Sequence, residues 1–171
     1  MKIIGLTLLT LLLLPLPGWS TDVTLFVIQS SKSAYEVQYQ LRVNAHCQLL
    51  SSFPVSALWH LRDAHSVTTE PLSAVEQLAY GVVRQRVDEN WVEFRLRALT
   101  EKRIKATATY NPHTETCSPS VHVEINSQWA ALERVYVQVD GQSVRPKVRY
   151  IDVFGESLVS SPTPMRERIE P

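Results

Sequence analysis

Apolar and polar residues alternate without a break from Glu36 to Ala45. Val37, Tyr39, Leu41, Val43 and Ala45 occupy one phase, and Glu36, Gln38, Gln40, Arg42 and Asn44 the other. In an extended chain successive side chains point to opposite faces. This stretch is therefore predicted to be a half-buried antiparallel strand, dry on one side and wet on the other. The same period returns at Val92–Ala98, Ile104–Tyr110, Val121–Ile125 and Val135–Val139. Val23–Gln29 is apolar on both faces, as a central strand is, and Val55–Leu61 follows Phe53-Pro54 as a third strand. Turn-forming clusters separate the runs at Ser30–Ser33, Asp88-Glu89-Asn90, Thr100-Glu101-Lys102 and Asn111-Pro112. Asp140-Gly141 is the strongest tight-hairpin signal, and Pro146 in the returning strand implies an edge or a bulge.

One segment has helical rather than strand spacing. Ser73 and Glu76 form a capping box, in which each side chain satisfies a backbone N–H at the helix start. Leu72, Val75, Leu78 and Ala79 recur as one stripe expected to face the core, and Gly81 is expected to end the helix in a left-handed conformation. The predicted fold class is all-β: a single antiparallel β-sandwich or flattened β-barrel of about eight strands with one short helix.

Lys2 followed by an apolar run from Ile3 to Leu14, ended by Pro15 and Pro17, has the layout of a secretory signal. The run is shorter than the ~20 apolar residues that span a bilayer. Residues 1–20 are read as a signal peptide, 21–158 as the β-domain and 159–171, rich in proline and charge, as a loose C-terminal tail. The chain is expected to be exported, periplasmic or secreted, with no membrane span after cleavage. Lys and Arg number 17 against 17 Asp and Glu. That balance supplies no field for a polyanion, so nucleic acid is not an expected partner. Past the leader the glycines are Gly81, Gly141 and Gly155 alone, too few and too scattered for a phosphate-cradling loop.

Cys47 and Cys117 are the two cysteines. Joined, they close a loop of about 70 residues and contribute roughly 4 kcal/mol on a chain-entropy argument. Free thiols are one alternative, and a metal site with His46 and His113 is another. The disulfide is the favoured reading in an oxidising compartment, and no metal or cofactor is expected. No nucleophile elbow, zinc-protease motif, paired Cys-x-x-Cys or nucleotide loop occurs, so no catalytic residue is assigned. His60 and His122 fall out of phase with their apolar neighbours and are expected to face solvent. Tyr39, Trp59, Tyr80, Trp91, Phe94 and Tyr150 are aromatic enough to line an apolar pocket, or simply to fill a core.

Several ordered fragments resemble the domain-of-unknown-function family 4833 of bacterial exported proteins. They are Leu25-Phe26-Val27-Ile28, Ser31-Lys32, Val37 and Tyr39; Pro54-Val55 and Trp59; Leu72 and Leu78–Gly81; Tyr150–Gly155; and Glu167-Arg168-Ile169 with Pro171. Ser30 departs from an Arg in that pattern, and Ser33 and Tyr35 depart from Asn. The resemblance implies no reaction, though it implies that Glu167–Pro171 docks on the sheet. Ser31, Lys32, Tyr39, Trp59 and Tyr80 are the candidate ligand-binding residues. The expected function is a non-catalytic exported β-domain that binds a protein, glycan or envelope component. The alternatives are a carrier of a small apolar ligand in an aromatic-lined pocket and, less favoured, an enzyme using Lys32 with Tyr39 or Tyr80.

Overall fold

The computed structural model describes residues 20–31, 33–62, 67–140 and 147–170. The apolar leader, Lys32, His65, Gly141 and Pro146 lie outside the described residues. Eleven strands and one helix follow one another: β1 (Ser20–Ser30), β2 (Ser33–Asn44), β3 (Val55–Arg62), β4 (Val67–Pro71), α1 (Ala74–Tyr80), β5 (Val82–Val87), β6 (Val92–Leu96), β7 (Leu99–Asn111), β8 (Thr116–Ile125), β9 (Gln128–Asp140), β10 (Lys147–Ser157) and β11 (Pro164–Ile169). Among the described residues the chain is all-β with one short helix, in keeping with its alternation.

The strands form one open mixed sheet in the order β4-β3-β2-β1-β9-β8-β7-β6-β5, with β10 and β11 on the far side of β9. This corrects the predicted antiparallel β-sandwich or flattened β-barrel of about eight strands. β9 explains the difference. It is long enough to take three partners: β8 from Gln128 to Ala131, β1 from Val135 to Val137, and β10 along almost its whole length. The β1–β9 ladder is parallel, so the sheet cannot be a pure antiparallel meander. Two halves, β1–β4 and β5–β8, thus meet on one shared strand.

Period two decides which side chains go inside. Val37, Tyr39, Leu41 and Val43 are buried, and so are Val92, Phe94 and Leu96 from the other half. They join one hydrophobic cluster to which β1, β7, β8, β9 and β10 also contribute. Each large side chain fully withdrawn from water contributes about 1.5–3 kcal/mol. Gln38 is the outer-phase exception: it is buried, and its amide donates to Thr24 Oγ1 at 2.6 Å.

Three local expectations are corrected. The β6–β7 turn falls at Arg97-Ala98, with Leu96 opposite Leu99, not at Thr100–Lys102; burial of Leu99 sets that register. Asp140, predicted to open a tight hairpin turn, is instead a paired strand residue opposite Lys147. The loose tail contains a strand, β11, paired with β10 from Ile151↔Ile169 to Glu156↔Pro164.

Charge explains why so polar a segment as β11 is ordered. On one face the buried Asp152 carboxylate accepts from Arg166 Nη2 at 2.7 Å and from Arg168 Nε at 2.9 Å. The Arg168 hydrogen bond, reinforced by Arg166, overcomes the burial penalty and holds Asp152 at a pKa of about 2. On the opposite face Glu167 is engaged by Lys102 Nζ and by the Asn126 N–H. Burial pushes the Glu167 carboxyl up, but these partners bring it below its ordinary value.

Cys47 and Cys117 are joined, with Cα atoms 5.6 Å apart. The bond ties the loop after β2 to β8 and so links the two halves covalently. Cys47 has a φ of 64°, unusual for a residue with a Cβ. The Asn44 carbonyl, accepting the Cys47 N–H at 2.9 Å, and the Asn44 side chain, accepting from His46 N and Gln48 N, hold that turn.

Candidate functional site

Among the described candidates, the structure separates Ser31 from the three aromatic residues. Ser31 caps the parallel ladder: its N–H donates to Val137 O at 3.0 Å, and its Oγ accepts from Val139 N at 3.0 Å. Lys32 lies outside the described residues. Tyr39, Trp59 and Tyr80 do converge. Tyr39 is fully buried, stacks on Phe26 with centroids 4.6 Å apart, and donates its hydroxyl to the Tyr80 carbonyl at 2.7 Å. Burial pushes that hydroxyl up, and the nearby Tyr80 phenol adds to the shift, so it remains a proton donor committed to one acceptor. Trp59 meets Tyr80 edge-on at 5.8 Å and Tyr35 at 6.5 Å. Ser30 lies opposite Ser33 and Phe26 opposite Tyr39. The four residues from Ser30 to Phe26 span about 13 Å at strand rise, so the Ser31 turn and the ring cluster are separate places.

The other aromatics disperse. Phe94 is in the core. Trp91 lies under Lys105 at 5.0 Å, and Tyr150 lies under the Arg168 guanidinium at 3.6 Å. These rings are covered by cations on the outer faces of the sheet. His60 sits on the outer face as its phase predicts, but it is largely shielded, with Nδ1 3.6 Å from Glu36 Oε2. No group of three or more His, Cys, Asp or Glu side chains among the described residues converges as a metal site.

A cavity of about 400 Å³ opens instead between β3, α1 and β5. β2 covers one edge of β3 from Val55 to His60, whereas β4 covers the other only from Leu58 onward. β5 pairs with β6 alone among the described residues. The two halves therefore face each other across a seam of incompletely paired strands. One side chain bridges it. Gln85 Oε1 accepts from Val55 N at 3.1 Å, and Gln85 Nε2 donates to Val55 O at 3.0 Å. That amide satisfies both backbone groups of Val55, as a neighbouring strand would.

Local chemistry shapes the rest of the groove. α1 carries the predicted capping box: Ser73 Oγ accepts from Glu76 N, and the Glu76 carboxylate accepts from Ser73 N. The stripe expected to face the core does not. α1 buries no residue, and Val75 and Leu78 are 76% and 65% exposed. Of that stripe only Leu72, just before the helix, reaches the core. Gly81 is extended at φ −60°, not left-handed. Glycine serves there for closeness, since a Cβ would stand 2.3 Å from the Gln77 carbonyl oxygen. Arg97 N donates to Gly81 O at 2.9 Å and holds the β6–β7 turn at the groove. Arg97 lines the cavity and takes part in none of the ion pairs among the described residues.

Gln85 and Arg97 were not among the sequence candidates. Gln85 carries no phase signal: Val82 and Val87 pack against the core while Val83 stands opposite Arg95, and the irregularity at Arg84 breaks the alternation along β5. Arg97 carries no signal either, because its role depends on where the turn falls.

The family model for a domain of unknown function, DUF4833, matches residues 26–168. The chain belongs to the DUF4833 family. Neither a curated protein nor a solved structure matches it. The DUF4833 match runs from β1 into β11, and the fragments that carried the resemblance take structural places. Tyr150–Gly155 lies in β10, Glu167-Arg168-Ile169 lies in β11, and the Asp152–Arg168 pair joins them. Among the described residues of this DUF4833 chain, no helix is long and apolar enough to cross a membrane.

Proposed function

We propose that this DUF4833 chain is an exported, non-catalytic binding module whose ligand seats in the seam between β3 and β5. Its ligand is a protein, glycan or envelope component. Support for export comes from the apolar leader and from a disulfide, which persists in oxidising compartments. The observation that carries the binding reading is the groove itself. It is of ligand-binding size, it lies between two strand edges that the fold leaves unjoined, and its rim exposes Leu78.

The lining also argues for binding over chemistry. Among the described residues, Arg97 is the single ionisable side chain around the cavity. A guanidinium stays protonated, so neither a general base nor an activated nucleophile is supplied there. The reading of an apolar carrier with an aromatic pocket is weaker, because Tyr39, Trp59 and Tyr80 pack on one another and none of them lines the cavity.

Amide chemical-shift mapping of the ¹⁵N-labelled protein tests the proposal. Soluble peptidoglycan fragments, lipid micelles and peptides are titrated separately. Shifts concentrated at Ala57, Leu78, Val82 and Gln85 are expected with at least one class. Perturbations confined to other surfaces, or none with any class, would overturn it.

A further inference from the structure

We infer that the groove takes an extended polypeptide segment that carries a carboxylate, added along the uncovered edge of β3; the inference rests on the reading of the seam as the binding site. The decisive feature is Gln85. Its side-chain amide holds the Val55 N–H and C=O in the two-bond pattern that a paired strand makes. It therefore acts as a placeholder for a peptide group. An incoming backbone can take over both bonds as Gln85 turns away, with no buried donor or acceptor left unmade.

The surroundings fit the same ligand class. β4 does not reach Val55, Ser56 or Ala57, so the edge of β3 is uncovered where the cavity lies. On the facing wall, Arg84 has a φ of 53° at an irregularity in the β5 register. That bulge interrupts the β5 edge and makes β3 the continuous pairing surface. Leu78 offers apolar contact to side chains projecting from an added strand. Arg97, lacking a carboxylate partner among the described residues, offers a planar fork that matches an Asp, Glu or C-terminal carboxylate. A saccharide site fits less well, because no aromatic ring among the described residues lines the cavity. A hydrocarbon tail fits less well because Gln77, Gln85 and Arg97 share the lining.

The test pans the full oxidised protein against a phage-displayed library of random linear octapeptides. Enriched peptides are then synthesised and titrated by calorimetry and NMR. Enriched sequences are expected to combine apolar residues with an acidic residue or a free C-terminus, and to shift the Val55 amide and the Gln85 side-chain amide. Arg97→Gln should weaken binding about tenfold, as loss of a charge-assisted pair does, with an unchanged unfolding midpoint. Gln85→Ala should strengthen binding, because it removes the internal competitor. Weaker binding in Gln85→Ala at unchanged fold would contradict the placeholder role and overturn the inference. Absence of enriched peptides, or peptides that leave Val55 unshifted, would overturn it too. If glycans or lipids shift the groove resonances while peptides do not, the peptide assignment fails and the binding site stands; if nothing shifts them, both fail.

Discussion

Among the ties that join the two halves of the sheet besides the shared strand β9, two differ in kind. At one, Cys47 and Cys117 form a covalent bond. At the other, one neutral amide, Gln85, holds Val55 by two hydrogen bonds. A disulfide stays closed until it is reduced, whereas a side-chain amide contributes only about 0.5–1.5 kcal/mol per hydrogen bond and exchanges with competitors. The molecule is thus fastened where it needs permanence and lightly latched beside its cavity. β11 shows a third arrangement, with charges gripping it on both faces.

The largest effect should come from the covalent tie. Replacing both Cys47 and Cys117 with Ala removes a cross-link of sequence separation 70, and chemical denaturation should record a loss of roughly 4 kcal/mol. A loss below about 1 kcal/mol would mean that β9 and the core already hold the halves together.

Next in size is the charged clamp on β11. Asp152→Asn should cost about 1–3 kcal/mol, because Arg166 and Arg168 lose a charged acceptor yet keep half-exposed heads in water. The same site has a signed pH dependence. Its folded pKa of about 2 lies below the ordinary Asp value of 3.8, so the stabilisation is present above that value. It is lost as pH falls from about 4 toward 2. Unfolding midpoints measured across that range should fall more steeply in the native chain than in Asp152→Asn.

Two hydrogen-bond deletions follow. Tyr39→Phe leaves the Tyr80 carbonyl without the phenol donor and should cost about 1–2 kcal/mol in thermal or denaturant unfolding. Gln85→Ala should cost least, about 1 kcal/mol, because Val55 can be resolvated from the open groove. A loss as large as that of the cysteine pair would erase the distinction between fastening and latch.

The sequence made the central strands legible because their burial follows a period of two that needs no partner to be known. Val37 to Val43 and Val92 to Leu96 face inward as their phase requires. The capping box at Ser73 and Glu76 was legible for a similar reason, since its two bonds lie within four residues. β4 and β11 were not. β4 is a short edge strand, and what orders β11 is a set of ion pairs whose members stand 14 to 65 residues apart. The α1 stripe misled because helical spacing reports amphipathicity, not which surface receives it. Of the candidate site, Tyr39, Trp59 and Tyr80 stand together, packed on one another. Gln85 and Arg97 acquire their places only when β3 and β5 are brought face to face.

Native-state hydrogen exchange at the Val55 amide tests the latch most directly. Val55 is expected to exchange through a local opening well below the energy of global unfolding, and Gln85→Ala to accelerate it while the Val123 amide in β8 is unaffected. Val55 exchanging only with global unfolding, at the same rate in both proteins, would contradict it.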